Sequence, residues 1–122
     1  GRTLMPNMVP TEFAGAVPID GYGPGFFRVG GVVHRGGVIV TTTGVQGWGG
    51  LDDRAPLLAL AGQVDVLFLG MGADPAFPPR DLVAALEAVG VMPEPMSTPS
   101  AARSFNVTLS EGRRIACALI AL

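Results

Sequence analysis

Two polar residues on one predicted helix are the residues best suited to binding or chemistry. Arg103 and Asn106 lie three positions apart, so their side chains leave the helix in related directions. A guanidinium binds carboxylates or phosphates, and a side-chain amide both donates and accepts hydrogen bonds. Asn106 also shares a face with apolar residues of the helix. It is therefore either a polar anchor to backbone near the Leu69–Gly72 turn or a ligand or partner contact.

A second candidate is the turn Gly70-Met71-Gly72, which follows a predicted buried strand and precedes a predicted helix. Backbone amides at such a position can hold an anion, since helix N-termini carry partial positive charge. The pattern lacks the third glycine of a dinucleotide-binding fingerprint, and the chain has no lysine for a phosphate-binding loop. The turn is therefore either structural or part of a ligand-contacting loop, and we expect no cofactor.

Trp48 and Glu111 are candidates for partner contacts. Trp48 lies in the glycine-rich stretch Gly44–Gly50, which we interpret as a loop. A tryptophan there either covers the core or anchors an interface. Glu111 sits at a predicted helix C-terminus, where the helix dipole disfavours a carboxylate, so we expect an ion pair. Its candidate partners are Arg103, Arg113 and Arg114.

The remaining nucleophilic and metal-ligating side chains do not form a catalytic set. His34 is the single histidine and Cys117 the single cysteine, which argues against a zinc site. Cys117 lies in an apolar run and is expected in the core. Ser97 and Ser100 lack the sequence context of a nucleophile elbow. We therefore expect that the protein is not an enzyme and that it has no metal site.

Composition indicates one folded domain in a reducing compartment. A chain of 122 residues with 48% hydrophobic residues is long and apolar enough to bury a core. Its net charge of −2 and scattered arginines argue against a nucleic-acid partner. One cysteine cannot form an intrachain disulfide, and no signal peptide or bilayer-spanning stretch is visible. We expect a cytoplasmic protein, with any membrane association made through a partner.

The N-terminal part predicts an irregular arm followed by a hairpin. Residues 1–22 contain three interrupting prolines and no period, so we assign them to an arm and residues 23–122 to a single α/β domain. Gly30-Gly31 separates two short β-prone runs, Phe26–Val29 and Val32–His34, as in a two-residue hairpin. A further strand follows at Val38–Thr42.

The second half alternates helices and strands, which is typical of a layered α/β domain. Pro93 and Pro95 cannot donate ladder hydrogen bonds, so their strand is expected at a sheet edge. Thr98 is the expected N-cap of the last helix, whose buried stripe includes Phe105. The expected elements are a short helix at Pro56–Ala61, strand Val64–Leu69, a helix across Leu82–Val89, strand Val91–Met96, a helix that begins at Pro99 and is ended by Gly112, and strand Ile115–Leu122.

Several segments in this order resemble a known family. They are Gly44–Trp48, Leu69–Gly72 with Phe77–Pro79, Met96–Thr98 leading into Ala102–Val107, and Ser110–Arg114. From Phe26 onward the chain resembles domain-of-unknown-function family 498, which includes mitochondrial complex I assembly factor 3 and many bacterial proteins. Phe105 stands where many members have tyrosine, so no role of a phenol hydroxyl is carried over to this position.

This resemblance implies both a fold and a first hypothesis for function. The implied fold is a three-layer α/β domain around a mixed sheet of about five strands, with an N-terminal β-hairpin and two main helices. The implied function is a non-enzymatic assembly or interaction protein. Its partner would be a respiratory complex I subunit or another assembly factor, bound through an apolar patch near Trp48.

Two alternatives stay open at this point. One is an anion-binding domain or uncharacterised enzyme whose site lies where the Gly70–Gly72 turn meets the Arg103/Asn106 helix. The other is self-association through an exposed sheet edge. Both depend on how the predicted elements come together.

Overall fold

The computed structural model describes residues 17–122 of the chain, and within this range the chain forms two sheets and three helices. The strands are β1 (Ile19–Gly23), β2 (Phe26–Val29), β3 (Val32–Arg35), β4 (Gly37–Thr41), β5 (Val45–Trp48), β6 (Val66–Gly70), β7 (Met92–Met96) and β8 (Ile115–Leu119). The helices are α1 (Ala55–Leu58), α2 (Arg80–Ala88) and α3 (Thr98–Leu109).

The central sheet is mixed and five-stranded, with the order β5-β4-β8-β6-β7. β6 pairs in parallel with β7 and β8, whereas β4 pairs antiparallel with β5 and β8. Every residue of β8 is buried, as expected for a strand covered on both faces. β7 lies at an edge, which confirms the position predicted from Pro93 and Pro95.

The sheet separates two apolar cores and so forms the middle of three layers, as predicted. On one face, α3 and the small sheet bury Phe27, Val38 and Phe105. On the other face, α1 and α2 bury Leu57 and Leu82. Alternate residues of the central strands supply the two cores, because successive side chains of a strand point to opposite faces.

The small sheet has the order β1-β2-β3 and contains the predicted hairpin. Gly30 and Gly31 have φ values of 57° and 83°, which a two-residue hairpin turn requires. The expected irregular arm was wrong at residues 19–22, because β1 pairs antiparallel with β2 there. Glycine and aspartate in β1 give it a weak strand signal, so pairing decides its conformation. Residues 1–16 of the expected arm lie outside the described residues.

The prediction of a loop at Gly44–Gly50 was also wrong. Residues 45–48 form β5, in which Val45 and Gly47 lie opposite Val40 and Val38 of β4. Four glycines in the seven residues 44–50 mask this strand in the sequence, because glycine has low strand propensity. The β4–β5 hairpin closes with a hydrogen bond of 2.9 Å from the Thr41 N–H to the Gly44 carbonyl oxygen.

The predicted helices are present with small changes at their ends. α2 ends at Ala88, and Gly90 has a φ of 84°, which confirms its predicted role after the helix. The N-cap of α3 is Ser97 rather than Thr98, and the Ser97 hydroxyl accepts a hydrogen bond from the Ser100 N–H. Thr98 does not serve as the cap because its hydroxyl is bonded to two other segments.

Thr98 joins α3, β8 and the glycine turn at one fully buried point. Its hydroxyl donates to the Ile120 carbonyl oxygen at 2.8 Å and accepts from the Gly72 N–H at 2.9 Å. Its own N–H donates to the Gly72 carbonyl oxygen at 2.7 Å. This close approach requires a glycine at position 70. A Cβ there would lie 2.9 Å from Thr98 Cα and Oγ1 and from Leu119 Cδ2.

Replacing this glycine is expected to destabilise the fold. In G70A the new methyl group must displace α3 from the sheet, which should lower the free energy of unfolding by about 1–3 kcal/mol. Urea denaturation measures this loss. The matched control is G44A, since a Cβ at Gly44 meets no atom within 4 Å. Equal denaturation midpoints for the two variants would contradict the packing constraint.

Candidate functional site

Asn106 is a structural anchor between α3 and the small sheet. Its side-chain amide donates to the Ile19 carbonyl oxygen at 2.7 Å and accepts from the Ile19 N–H at 2.9 Å. The same pair of bonds would be made by a neighbouring strand, so the amide replaces a strand at this edge of β1. Of the two interpretations of Asn106, the backbone anchor is the one observed, but its partner is β1 rather than the Leu69–Gly72 turn.

The Gly70–Gly72 turn meets α3 at its first residue and not at Arg103 or Asn106. At 1.5 Å rise per residue, these two lie about 7.5 and 12 Å farther along the helix axis than Thr98. The structure therefore does not assemble the predicted anion site from these two segments. The amides of the turn are also in use, since Met71 N–H donates to the Met96 carbonyl oxygen at 2.8 Å and Gly72 N–H donates to Thr98.

Arg103 is exposed and lies between two shallow cavities. One, of about 240 Å³, is bordered by β1 residues and Asn106. The other, of about 350 Å³, has an apolar floor at Val66 and Phe68 and contains Glu94 and Arg113 on its rim. Within residues 17–122, Arg103 forms no ion pair. It remains accessible to an anionic group, but without Asn106 or the glycine turn beside it.

The ion pair expected for Glu111 is not formed with any cation among residues 17–122. Arg114, which directly precedes β8, instead forms an ion pair with Asp65, which directly precedes β6. The distance between Arg114 Nη2 and Asp65 Oδ1 is 2.9 Å. The hydrogen bond from Arg114 holds the pKa of the Asp65 carboxyl below its usual range. Glu111 is exposed, so water solvates its carboxylate and the dipole penalty is small.

Trp48 covers the core, which is one of the two roles predicted for it. Its side chain is only 5% exposed and packs in the core on the α1/α2 face of the sheet. Its indole N–H donates to the Asp53 carbonyl oxygen at 2.9 Å, and the Asp53 carboxylate accepts from the Gly49 N–H at 3.0 Å. A partner cannot use a buried and hydrogen-bonded indole as an anchor, so the predicted patch around Trp48 is not available.

Cys117 is fully buried in β8, as predicted, and burial raises the pKa of its thiol. A thiol held in its neutral form is a poor nucleophile. Within residues 17–122, no cluster of three histidine, cysteine, aspartate or glutamate side chains is arranged to hold a metal ion. In the same range, no helix has both the length and the apolar character needed to cross a membrane.

A surface around Phe77, which sequence reasoning did not single out as a site, is the most distinctive apolar feature of residues 17–122. Phe77 is 90% exposed, although its neighbour Pro78 is buried. Beside it lies the largest of the described cavities, of about 490 Å³, and we call the two together the Phe77 surface. The lining residues are Phe77, Pro78, Arg80, Val83, Pro93 and Pro95. The available signal was a phenylalanine inside a proline-rich connection between a strand and a helix.

Asn106 provides a test of how the small sheet is attached. In N106D a carboxylate replaces the amide donor and faces the Ile19 carbonyl oxygen. We expect the free energy of unfolding at neutral pH to fall by about 1–3 kcal/mol. The loss should shrink as the pH falls toward about 4, because a carboxylate facing a carbonyl oxygen has a raised pKa and donates again once it is protonated. Thermal unfolding across pH measures this, and a loss that does not depend on pH would contradict the hydrogen-bond role.

Comparison with known proteins agrees with this fold. The family described as protein of unknown function (DUF498/DUF598) matches residues 19–120. An uncharacterised protein of Rhodobacter capsulatus is 62% identical over 115 residues, covering 93% of each chain. The crystal structure of an outer membrane protein from Bartonella henselae is 35% identical, with a TM-score of 0.80 over 88% of this chain and 96% of that one.

A third similarity concerns the fold alone. The solution structure of a Bordetella pertussis protein, described as a Mth938-like domain, is 24% identical and has a TM-score of 0.76. It covers 94% of this chain and 90% of that one. The family match extends from β1 through β8, which are the elements that form both sheets and both cores. The chain therefore belongs to the DUF498/DUF598 family.

Proposed function

We propose that this protein is a non-enzymatic protein-binding domain and that the Phe77 surface is its contact with a partner. The observation that carries the proposal is the 90% exposure of Phe77 beside an apolar cavity. Covering a phenylalanine side chain removes about 150–250 Å² from water. That burial contributes a few kcal/mol to binding before the entropic costs of association.

The local structure supports an anchor role for this side chain. Pro78 is buried and Pro79 directly precedes α2, so two consecutive prolines after Phe77 restrict the backbone conformation of the connection. A restricted loop loses little conformational entropy on binding. Aromatic side chains that fit beside apolar pockets are the residues that most often dominate protein interfaces.

We propose respiratory complex I as the context of this binding. The family resemblance to complex I assembly factor 3 suggests it, and the occupant of the surface would be an apolar segment of a complex I subunit or of another assembly factor. Arg80, on the rim of the cavity, is suited to an acidic residue next to that segment. The domain would then act in the cytoplasm or peripherally at the inner membrane, held there by its partner.

A non-enzymatic role is also supported by the state of the polar candidates. The Asn106 amide and the Gly72 N–H are both hydrogen-bonded within the protein. The thiol of Cys117 is buried and neutral. These observations favour binding by a surface over the alternative anion site or enzyme, which required Asn106 and the glycine turn to face a common ligand.

The test is complementation of a bacterium that lacks the gene. We expect the deletion to reduce the amount of assembled NADH:ubiquinone oxidoreductase on native gels, and the wild-type chain to restore it. F77S should fold normally but restore several-fold less, because it removes the aromatic anchor without altering a buried contact. Native gels with in-gel activity staining, read beside immunoblots of the complementing protein, measure the effect.

V32S is the matched control, since Val32 is also an exposed apolar residue, at 58%, but lies on the separate small sheet. It should restore assembly as well as the wild type does. Normal levels of the assembled enzyme in the deletion strain would overturn the link to complex I. Full restoration by F77S would instead overturn the assignment of the Phe77 surface.

A further inference from the structure

The two edges of the central sheet differ in the backbone groups that they offer to another strand. In β7, Met92 N–H donates to the Asp65 carbonyl oxygen and the Met96 carbonyl accepts from Met71 N–H. Backbone direction alternates along a strand, so Pro93 and Pro95 face outward. Neither has an N–H, and this edge therefore has no donor for a further strand between them.

The edge formed by β5, in contrast to β7, keeps backbone N–H groups that can donate to a further strand. The hydrogen bond between Thr41 and Gly44 and the opposition of Ile39 and Gln46 fix which residues face β4. By alternation, the backbone groups of Val45 and Gly47 face outward. Within residues 17–122, no strand pairs with this outer side of β5. Each outward residue offers both a donor and an acceptor.

We propose that β5 pairs antiparallel with β5 of a second copy of this chain across a twofold axis at Gln46. In this register Val45 lies opposite Gly47 of the second copy, and both residues exchange their backbone hydrogen bonds. The two five-stranded sheets then become one continuous sheet. The symmetric pair satisfies the outward N–H and C=O groups of both copies.

Charge favours a second copy on β5 and opposes one on β7. A twofold axis places a residue opposite itself, so a charged residue on the axis meets a like charge. Gln46 is neutral, and its amide can hydrogen-bond with its symmetry mate. The corresponding axis on β7 would pass Glu94 and oppose two carboxylates. At β3, the edge of the small sheet, the corresponding axis would pass His34, and Arg35 is the outward-facing residue next to it.

The surroundings of β5 leave room for the added strand. Gln46 and Gly47 are exposed, and a Cβ at Gly47 would meet no atom within 4 Å. A cavity of about 270 Å³ lies beside the strand, between β5 and α1. Side chains on that face of the second copy's strand can enter it without displacing the core.

The test removes the outward N–H of residue 47 and measures the molecular mass of the protein in solution. Sedimentation of the wild-type chain from about 10 μM to about 1 mM should show the mass rising from 12.5 kDa toward twice that value. G47P removes the outward N–H, as Pro93 and Pro95 do on β7, and should keep the protein monomeric. G47A retains the N–H and is the matched control, which should associate as the wild type does.

A second variant and a second measurement keep the proposal testable if G47P does not fold. Q46E places like charges on the axis, so association should weaken at neutral pH and recover below about pH 4. Amide exchange at Val45 and Gly47 should slow as concentration rises. A wild-type chain that stays monomeric to about 1 mM would overturn the proposal. Slow exchange of both amides in the monomer would also do so, since another part of the same chain would then cover the edge.

Discussion

The contact between Gly70 and Thr98 is the constraint on which the arrangement of layers depends. A helix normally packs on a sheet through side chains, but here the first residue of α3 touches the last residue of β6 with no Cβ between them. The approach is close enough for the Thr98 hydroxyl to bond to Gly72 and to Ile120. Three segments that are distant in sequence therefore share one buried hydroxyl, and the direction of α3 across the sheet follows from it.

Asn106 extends this control to the small sheet. Because α3 is fixed at its N-terminus, its third turn places the Asn106 amide beside Ile19, where it takes both backbone groups of that residue. Asn106, whose amide can both donate and accept hydrogen bonds, thus has a structural role. The same arrangement uses the Asn106 amide within the protein, and it leaves Arg103 exposed on α3 without the amide as a partner in binding.

The sequence predicted the parts of this structure whose signals are local. Proline at two alternate positions identified β7 as an edge, and Gly30-Gly31 identified the hairpin, since both depend only on backbone chemistry. The strands β1 and β5 were not predicted because their glycine and aspartate residues have low strand propensity. Both strands form through pairing with β2 and β4, which no local pattern shows. The anchor role of Asn106 was one of two open interpretations. Its partner Ile19 is 87 residues away, and no local pattern connects the two.

The proposed interaction surfaces follow from which backbone groups remain available at each sheet edge. The Asn106 amide occupies the edge of β1 at Ile19, and prolines remove the donors from β7. Among the strands at sheet edges in residues 17–122, β5 alone combines outward donors with an uncharged strand. The Phe77 surface includes both prolines of β7, so it lies at the opposite side of the central sheet from β5. A pair of chains joined through β5 would therefore keep both Phe77 surfaces free, one at each end of the continuous sheet, and self-association and partner binding would not compete.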